Sequence, residues 1–233
     1  QVPPNPTAFL PMSRAEMIAR GWDQLDVLII TGDAYVDHPS FGAAIVGRVL
    51  EAKGYRVGII AQPDWKNGES LRSMGRPRLF VGVTAGNLDS MLSNYTAARH
   101  KRKEDVYSEG GVPGRRPNHA AVVYSQMAKR AFPGVPVVVG GMEASMRRVA
   151  HYDYWEDKLR PSILADAKAD LLVYGMGETA VREIARRLDA GDVNLSGIRG
   201  TALLMGAKAT TAAGFGDAIV LPSWEELQAD PRL

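Results

Sequence analysis

Cysteine is absent from all 233 residues of the chain. Such a chain forms no disulfide, offers no thiolate nucleophile and supplies no cysteine ligand to a metal cluster. Long apolar runs are absent as well, and none approaches the roughly 20 residues that a membrane-spanning helix requires. Together these absences favour a cytoplasmic protein, because disulfides characterise exported proteins.

A large net charge is also missing. The 28 Lys and Arg residues nearly balance the 26 Asp and Glu residues, and the formal net charge of +2 does not by itself indicate a nucleic-acid partner. Hydrophobic residues make up 45% of the chain and charged residues 23%, which is typical of a globular domain with a real core.

Two nucleotide-binding motifs are absent. The sequence contains no G-x-x-x-x-G-K-[ST], and its first strand pattern is not followed by G-x-G-x-x-G, so neither a P-loop nor a dinucleotide fingerprint is present. A metal site at Asp33, Asp37 and His38 is an alternative to consider, but carboxylate and imidazole groups commonly cap helices. We therefore predict no metal site in this chain.

What the sequence does contain is an alternation of strand and helix patterns. Five short apolar runs read as buried strands: QLDVLIITG, YRVGIIAQ, RLFVGVTAG, VPVVVGG and ADLLVYGMG. Because helical patterns separate them, they predict a doubly wound, mostly parallel five-stranded α/β sheet, with a flavodoxin-like strand order as the expectation. The predicted divisions are an N-terminal arm at 1–22, a Rossmann-like α/β domain at 23–191 and a β-rich extension at 192–233.

The extension carries two further strand candidates, GIRGTALLM and GDAIVLPS, and then the capping-box spacing of Ser223 and Glu226. The chain also begins without methionine. We expect it to be a piece of a longer protein.

Unusual residues follow three of the predicted strands. In doubly wound sheets ligands bind beyond the carboxyl ends of the strands, and glycine there lets a backbone approach the ligand or adopt positive φ. The alternative is that each glycine pair only makes a tight turn. The candidate cofactor- or substrate-binding residues are Asp33, Asp37, His38, Gly140, Gly141, Glu143, Arg147, Arg148, Gly175, Gly177 and Glu178. No catalytic residue is assigned.

The stretch 99–116, within a predicted insertion at 99–118, holds the positive excess of the chain. It contains six Lys or Arg residues against three Asp or Glu residues. Such a loop could cover an anionic ligand or contact nucleic acid, or it could be a solvated insertion, which is what a charge run usually is.

Four segments, of which the first two overlap, carry a family resemblance: FLPMSRAEMIARGWDQLDVLIITGDAYVDHPSFG, GDAYVDHPSFGAAIVGRVLEAKGYRVGIIAQPDW, NYTAARHKRKEDVYSEGG and VVVGGMEASMRRVAHYDYWEDKLRPSILADAKADLLVYGMGE. They closely resemble the N-terminal region of YgiQ-type radical SAM proteins, from Phe9 to about Ser223. The resemblance implies a radical SAM barrel beyond Leu233, whose C-x-x-x-C-x-x-C loop binds a [4Fe-4S] cluster and S-adenosylmethionine. The chain itself lacks those cysteines, so we expect it to be inactive alone.

A looser similarity links the chain to cobalamin-binding domains. Gly140–Gly141 and Gly175–Glu178 look like the glycine motifs of those domains, and Ser90 and Leu92 resemble their S-x-L element. The cobalt-ligating motif D-x-H-x-x-G is not matched, because Asp37 and His38 are adjacent. We therefore expect this chain to bind no cofactor by itself. Cobalamin is the alternative, because it can be held without a protein ligand to its cobalt.

Two functions follow from these observations. The first is an accessory domain that positions substrate or cofactor beside a radical SAM barrel of the same chain, with Arg147 and Arg148 in the docking face or substrate cavity. A structural network with Asp153, Glu156 and Asp157 is the alternative role for these arginines. The second function is a non-catalytic module that binds RNA or another anion through the loop 99–116.

Overall fold

The central layer of the protein is a six-stranded, mostly parallel β-sheet. The computed structural model describes residues 9–205, 219–230 and 232. The strands of the sheet are β1 (Val27–Thr31), β2 (Val57–Ala61), β3 (Phe80–Thr84), β4 (Val137–Gly140), β7 (Leu171–Val173) and β8 (Thr201–Ala202), and a separate antiparallel hairpin is formed by β5 (His151–Asp153) and β6 (Lys158–Arg160). The sheet order is β2-β1-β3-β4-β7-β8, and only β8 runs antiparallel to its neighbour.

The five predicted strands and their parallel arrangement are confirmed. The order of these five is also the flavodoxin-like one. They read as near-continuous apolar runs because helices cover both faces of the sheet, and every residue of β1 is buried.

The helices are α1 (Arg14–Ala19), α2 (Gly42–Glu51), α3 (Ser90–Asn94), α4 (Ala120–Ala131), α5 (Gly141–Met146), α6 (Ile163–Ala167), α7 (Glu178–Asp189) and α8 (Trp224–Ala229). Short 3₁₀ segments lie at Gly68–Met74 and Glu109–Gly111. None of the helices in the described part of the chain is long and apolar enough to cross a membrane.

Two hydrophobic cores lie on opposite faces of the sheet. On one face, α2 and α7 contact each other and pack over Ile29, Phe80 and Val138. On the other face, α4, α6 and the first 3₁₀ segment pack over Val81 and Val83. The side chains of β3 therefore alternate between the two cores, as the period of a strand requires.

The C-terminal extension matches its prediction in part. GIRGTALLM supplies β8, which is two residues long, and the capping box of Ser223 and Glu226 begins α8. The second candidate strand, at 216–223, is described only in part. Residues 219–223 form no strand, and residues 216–218 lie outside the described residues. The hairpin β5–β6 was not anticipated from the sequence.

Candidate ligand site

A cavity of about 430 Å³ opens at the carboxyl end of the sheet. It lies on the face that carries α2 and α7, in the gap between these helices and the ends of β1, β3, β4 and β7. Its wall is mainly apolar, and the side chains and glycines that form it include Ile29, Phe41, Ile45, Val46, Phe80, Gly82, Val138, Gly140, Gly141, Met142, Val173, Gly175, Met176, Gly177, Glu178 and Val181. Its size and composition are those of a small-molecule site.

The floor of the cavity is a glycine in the middle of the sheet. Gly82 of β3 lies in register with Ile29 on one side and Val138 on the other. These two neighbours are only 3% and 4% exposed, whereas Gly82 is half-buried. Because Gly82 has no side chain, β3 leaves an open space at this position, whereas the side chains of Ile29 and Val138 fill the corresponding positions of the two neighbouring strands. A glycine inside a strand often marks such a close approach.

The turn from β4 into α5 requires glycine. Gly141 has φ +83°, and a Cβ atom at this position would lie 2.4 Å from Oγ1 of Thr84. Both the backbone conformation and the space therefore favour glycine. Gly140 and Gly141 line the cavity, and their role in ligand binding stays a prediction.

The loop from β7 into α7 forms another side of the cavity. Gly175 has φ +67°, Gly177 is the N-cap of α7, and Glu178 is its first residue. All three line the cavity. The structure thus brings the glycines of two predicted strand ends together around one space.

Asp33 lies beside the same cavity but is largely committed to internal contacts. Its carboxylate is buried, accepts a hydrogen bond from the Asn87 amide at 2.7 Å and pairs with Nη1 of Arg116 at 2.8 Å. Burial raises the pKa of Asp33, and the positive charge of Arg116 opposes part of that rise. The group helps to hold the loop 99–118 against the end of β1.

The other two polar residues after β1 do not line the cavity. Asp37 accepts hydrogen bonds from Nε of Arg48 at 3.1 Å, and these bonds lower its pKa. His38 is exposed, and its Nδ1 accepts a hydrogen bond from the Ser40 amide. Their role in binding stays a prediction without support from their position.

Glu143 is buried and joins two helices. Its Oε2 accepts the backbone N–H of Ser90 at 2.7 Å, and its Oε1 accepts that of Ala121 at 3.0 Å. A carboxylate placed at two helix starts satisfies N–H groups that have no partner within the helix. This geometry gives Glu143 a structural position outside the cavity wall.

The side chains of Arg147 and Arg148 have different partners. Arg147 pairs with Asp89, which itself accepts the backbone N–H groups of Met91 and Leu92 at the start of α3. Arg148 is exposed, donates to the carbonyl of Ser145 and lies 5.2 Å from the ring centre of Tyr174. Neither guanidinium lines the cavity.

The acidic residues considered as partners of these arginines have other contacts. Glu156 pairs with Arg160 and Lys158, and Asp157 accepts the hydroxyl of Tyr152. The two oxygens of Asp153 differ, since Oδ1 accepts two backbone N–H groups and Oδ2 is 3.8 Å from Nε of Arg160.

One group of side chains in the described residues has the composition of a metal site. Ligand atoms of His119, Asp153 and Glu156 lie within 4.8 Å of one another. Arg160 and Lys158 already place two positive charges on these carboxylates, at 2.8 Å and 2.5 Å from Glu156. A cation would have to displace them, so the arrangement is that of an ion-pair network.

The basic stretch 99–116 uses its arginines for internal contacts. Arg99 donates to the carbonyl of Tyr154 at 2.5 Å, and Arg102 donates to the carbonyls of Leu92 and Tyr95. Arg116 is fully buried between Asp33 and Asp105. The charge run is therefore partly a set of structural links, which its composition did not reveal.

Comparison with known proteins then assigns the chain to a family. Residues 9–233 match the family Radical SAM N-terminal. The chain belongs to this family. A UPF0313 protein of Bradyrhizobium diazoefficiens is 61% identical over 203 residues, which are 86% of this chain and 30% of the relative, and a UPF0313 protein of Thermotoga neapolitana is 54% identical over 226 residues, which are 96% and 39%. This Radical SAM N-terminal chain thus spans well under half the length of these relatives.

Solved structures support the fold. Chains of the radical S-adenosylmethionine methyltransferase TsrM from Kitasatospora setae align with a TM-score of 0.50 at 20% identity, over 78% of this chain and 29% of the TsrM chain. One TsrM structure holds tryptophan and a SAM analogue, and another holds cobalamin and a [4Fe-4S] cluster. At this identity the likeness concerns the fold alone.

The residues of this Radical SAM N-terminal chain do not fit every group bound by TsrM. A [4Fe-4S] cluster held by thiolates has no ligand here, because the sequence contains no cysteine. A cobalt–imidazole bond in the cavity is not supported either, because none of the four histidines is among the residues that line it.

The sequence pointed to the strand ends but not to the most informative residue. Gly82 lies inside RLFVGVTAG, a run that predicts a strand without marking any residue as special. A glycine flanked by valines in a central strand was the available signal, since glycine weakens a strand and needs a reason to be there. Phe41 and Phe80 are likewise not distinguished in the sequence from other apolar residues.

Proposed function

We propose that this chain is the accessory domain of a longer radical SAM enzyme and that its cavity positions substrate or cofactor for that enzyme. The observation that carries the proposal is the apolar cavity at the carboxyl edge of the sheet, with Gly82 as its floor. Membership of the Radical SAM N-terminal family supports the link to radical chemistry. The cluster and S-adenosylmethionine would be held by the catalytic domain of the same polypeptide.

The surface around the cavity supports docking of that catalytic domain. Met176 is 86% exposed and Met142 is 50% exposed, and both lie at the cavity. Met146, Val149 and Tyr174 are further exposed apolar residues of α5 and the segments after β4 and β7. Exposed apolar patches commonly mark interaction surfaces. We propose that the cavity opens towards the catalytic domain.

The contacts of the basic stretch favour this function over an RNA-binding module. Three of its guanidinium groups, those of Arg99, Arg102 and Arg116, donate to carbonyls or carboxylates of the same chain. Groups engaged in this way are poorly placed to follow a phosphate backbone, which requires accessible positive charge.

The test uses a longer protein that carries this chain in front of a cluster-binding domain. Consumption of S-adenosylmethionine is measured under reducing conditions, with and without a small-molecule extract of the host cells. We expect the extract to raise consumption by the unaltered protein and not by the Gly82→Val variant, because the new side chain fills the cavity. Consumption without extract should be equal in both.

Val81→Ala is the matched control. Val81 is the preceding residue of β3 and faces the opposite core. This variant should respond to the extract as the unaltered protein does. A Gly82→Val variant that also responds normally would contradict a positioning role for the cavity.

A further inference from the structure

We propose that the cavity binds a neutral, planar heteroaromatic ring that accepts hydrogen bonds, and that it discriminates against anionic ligands. This inference rests on the proposed function and specifies the chemistry of the ligand. Three properties of the cavity carry it: the charges of its wall, the shape of its floor and the hydroxyl groups at its edge.

The charges of the wall exclude an anion. Among the residues that line the cavity, the carboxylic acids are Asp33 and Glu178, and no lysine, arginine or histidine is present. Arg116 already pairs with Asp33, so Glu178 sets the sign of the local field. A phosphate or carboxylate placed in this apolar space would lose its hydration without gaining a cationic side chain, which is strongly unfavourable. The start of α7 would favour an anion, but the carboxylate of Glu178 already lies in the first turn of that helix.

The shape of the floor suits a flat ring. Gly82 exposes bare backbone in the plane of the sheet, and Phe80 and Phe41 bring aromatic side chains into the wall. Gly82 leaves a slot between the side chains of Ile29 and Val138, which flank it in register, and a flat ring is thin enough to enter this slot edge-on. Aromatic rings also add favourable offset or edge contacts to the burial of apolar area.

Two hydroxyl groups of the wall are placed to donate a hydrogen bond to a ligand. Oγ1 of Thr31 accepts the backbone N–H of Asp33 at 3.2 Å, and Oγ of Ser145 accepts that of Gly175 at 3.2 Å. Both side chains belong to residues that line the cavity. With an acceptor site of each hydroxyl used, its proton is available to donate. The complementary ligand therefore offers an acceptor, such as a ring nitrogen.

Binding of quinoxaline to the 233-residue chain tests the proposal by ligand-observed NMR and titration. Quinoxaline is planar, neutral and carries two ring nitrogens, and quinoxaline-2-carboxylate is its anionic counterpart. We expect saturable binding of quinoxaline and binding of the carboxylate at least tenfold weaker. Glu178→Gln should reduce the ratio between the affinities for quinoxaline and for the carboxylate. Ser145→Ala should weaken the binding of quinoxaline several-fold.

The variants at β3 separate a filled cavity from a damaged fold. Gly82→Val should abolish quinoxaline binding. Gly82→Ala should leave Tm unchanged, because a Cβ at Gly82 meets Ile29 and Phe80 at the ordinary contact distances of 3.7 and 3.8 Å. If valine overfills the space, Gly82→Ala provides the smaller step and should weaken binding. Val81→Ala should lower Tm and leave binding intact.

The outcomes distinguish this inference from the proposed function. Absence of quinoxaline binding, equal binding of the carboxylate, or unchanged binding in Gly82→Val would overturn the inference. If Gly82→Val nevertheless removes the extract-dependent consumption of S-adenosylmethionine, the positioning function stands and its ligand has another chemistry. If quinoxaline binds as expected but the extract response does not depend on Gly82, the positioning function fails.

Discussion

At the scale of single residues, Arg116 illustrates how a charge run can conceal a structural residue. It is the last residue of the basic stretch, and it is fully buried with Nη2 3.0 Å from Asp105 and Nη1 2.8 Å from Asp33. Its neighbour Arg115 is exposed and pairs with the exposed Glu109. Two arginines that are adjacent in the sequence thus differ in burial, one exposed and one buried. Only the tertiary structure distinguishes them.

Arg116→Ala should lower the free energy of unfolding by about 3–5 kcal/mol at pH 7, because it leaves two buried carboxylates without a positive partner. Denaturant unfolding measures this loss. Arg115→Ala is the matched control and should stay within about 0.5 kcal/mol of the unaltered chain.

The pH dependence of the Arg116→Ala deficit provides a second check. Burial raises the pKa of Asp33 above its unfolded value, so the folded state gains protons as the pH falls and its stability relative to the unfolded chain increases. Without Arg116 the pKa of Asp33 should rise further, so the variant should gain more stability on acidification than the unaltered chain. The difference in unfolding free energy between the two should therefore become smaller as the pH falls from neutral. A deficit that widens would show that the loss has another origin than uncompensated charge.

At the scale of elements, the sequence predicted the strands well and the connections poorly. The five buried strands are continuous apolar runs, and α7 has an apolar face, a first-turn acid and two last-turn arginines, so local pattern and tertiary structure agree. The hairpin β5–β6 is different. Its strands are three residues long and partly exposed, and they are set by contacts such as Arg99 with Tyr154 that no local pattern reveals.

The turn from β4 into α5 allows a sharp prediction. Gly141→Ala combines a strained φ with a contact at 2.4 Å to Thr84, and it should cost about 2–5 kcal/mol of unfolding free energy. Gly175→Ala has a similar φ of +67° but open space around its Cβ, and it should cost about 1–2 kcal/mol. Thermal or denaturant unfolding compares the two variants. Equal losses of unfolding free energy in the two variants would mean that Thr84 moves away from the new Cβ without a measurable loss of stability.

At the scale of the whole molecule, the sheet brings residues that are far apart in the sequence to one cavity. β1, β3, β4 and β7 run parallel, so their carboxyl ends meet at one edge. The cavity lies at the edge where the strand-end argument predicted a ligand site, and binding of a ligand there stays a prediction. The argument could not select among the polar residues at this edge. Four predicted residues follow the strand ends in the sequence, but their side chains do not line the cavity: Asp37, His38, Glu143 and Arg147. The direction and the partners of a side chain depend on tertiary packing, which the sequence pattern does not give.

Docking of a catalytic domain makes a prediction about oxidation. In the 233-residue chain, hydrogen peroxide should convert Met176 and Met142 to the sulfoxide rapidly, because both are exposed. In a longer protein that contains the catalytic domain, both should react at least several-fold more slowly. Met12, 43% exposed and outside the cavity wall, is the reference residue, and peptide mass spectrometry measures all three. Unchanged rates for Met176 and Met142 would contradict docking at this edge.

The glycine at the centre of β3 has a consequence for the evolution of the protein. Folding alone would favour almost any β-branched residue at position 82, since glycine gives up packing and raises the entropy of the unfolded chain. One nucleotide change in the codon suffices to exchange glycine for valine. A lineage that no longer used the ligand would therefore be expected to drift towards a bulkier residue here, and retention of glycine would record continuing selection for what the cavity holds.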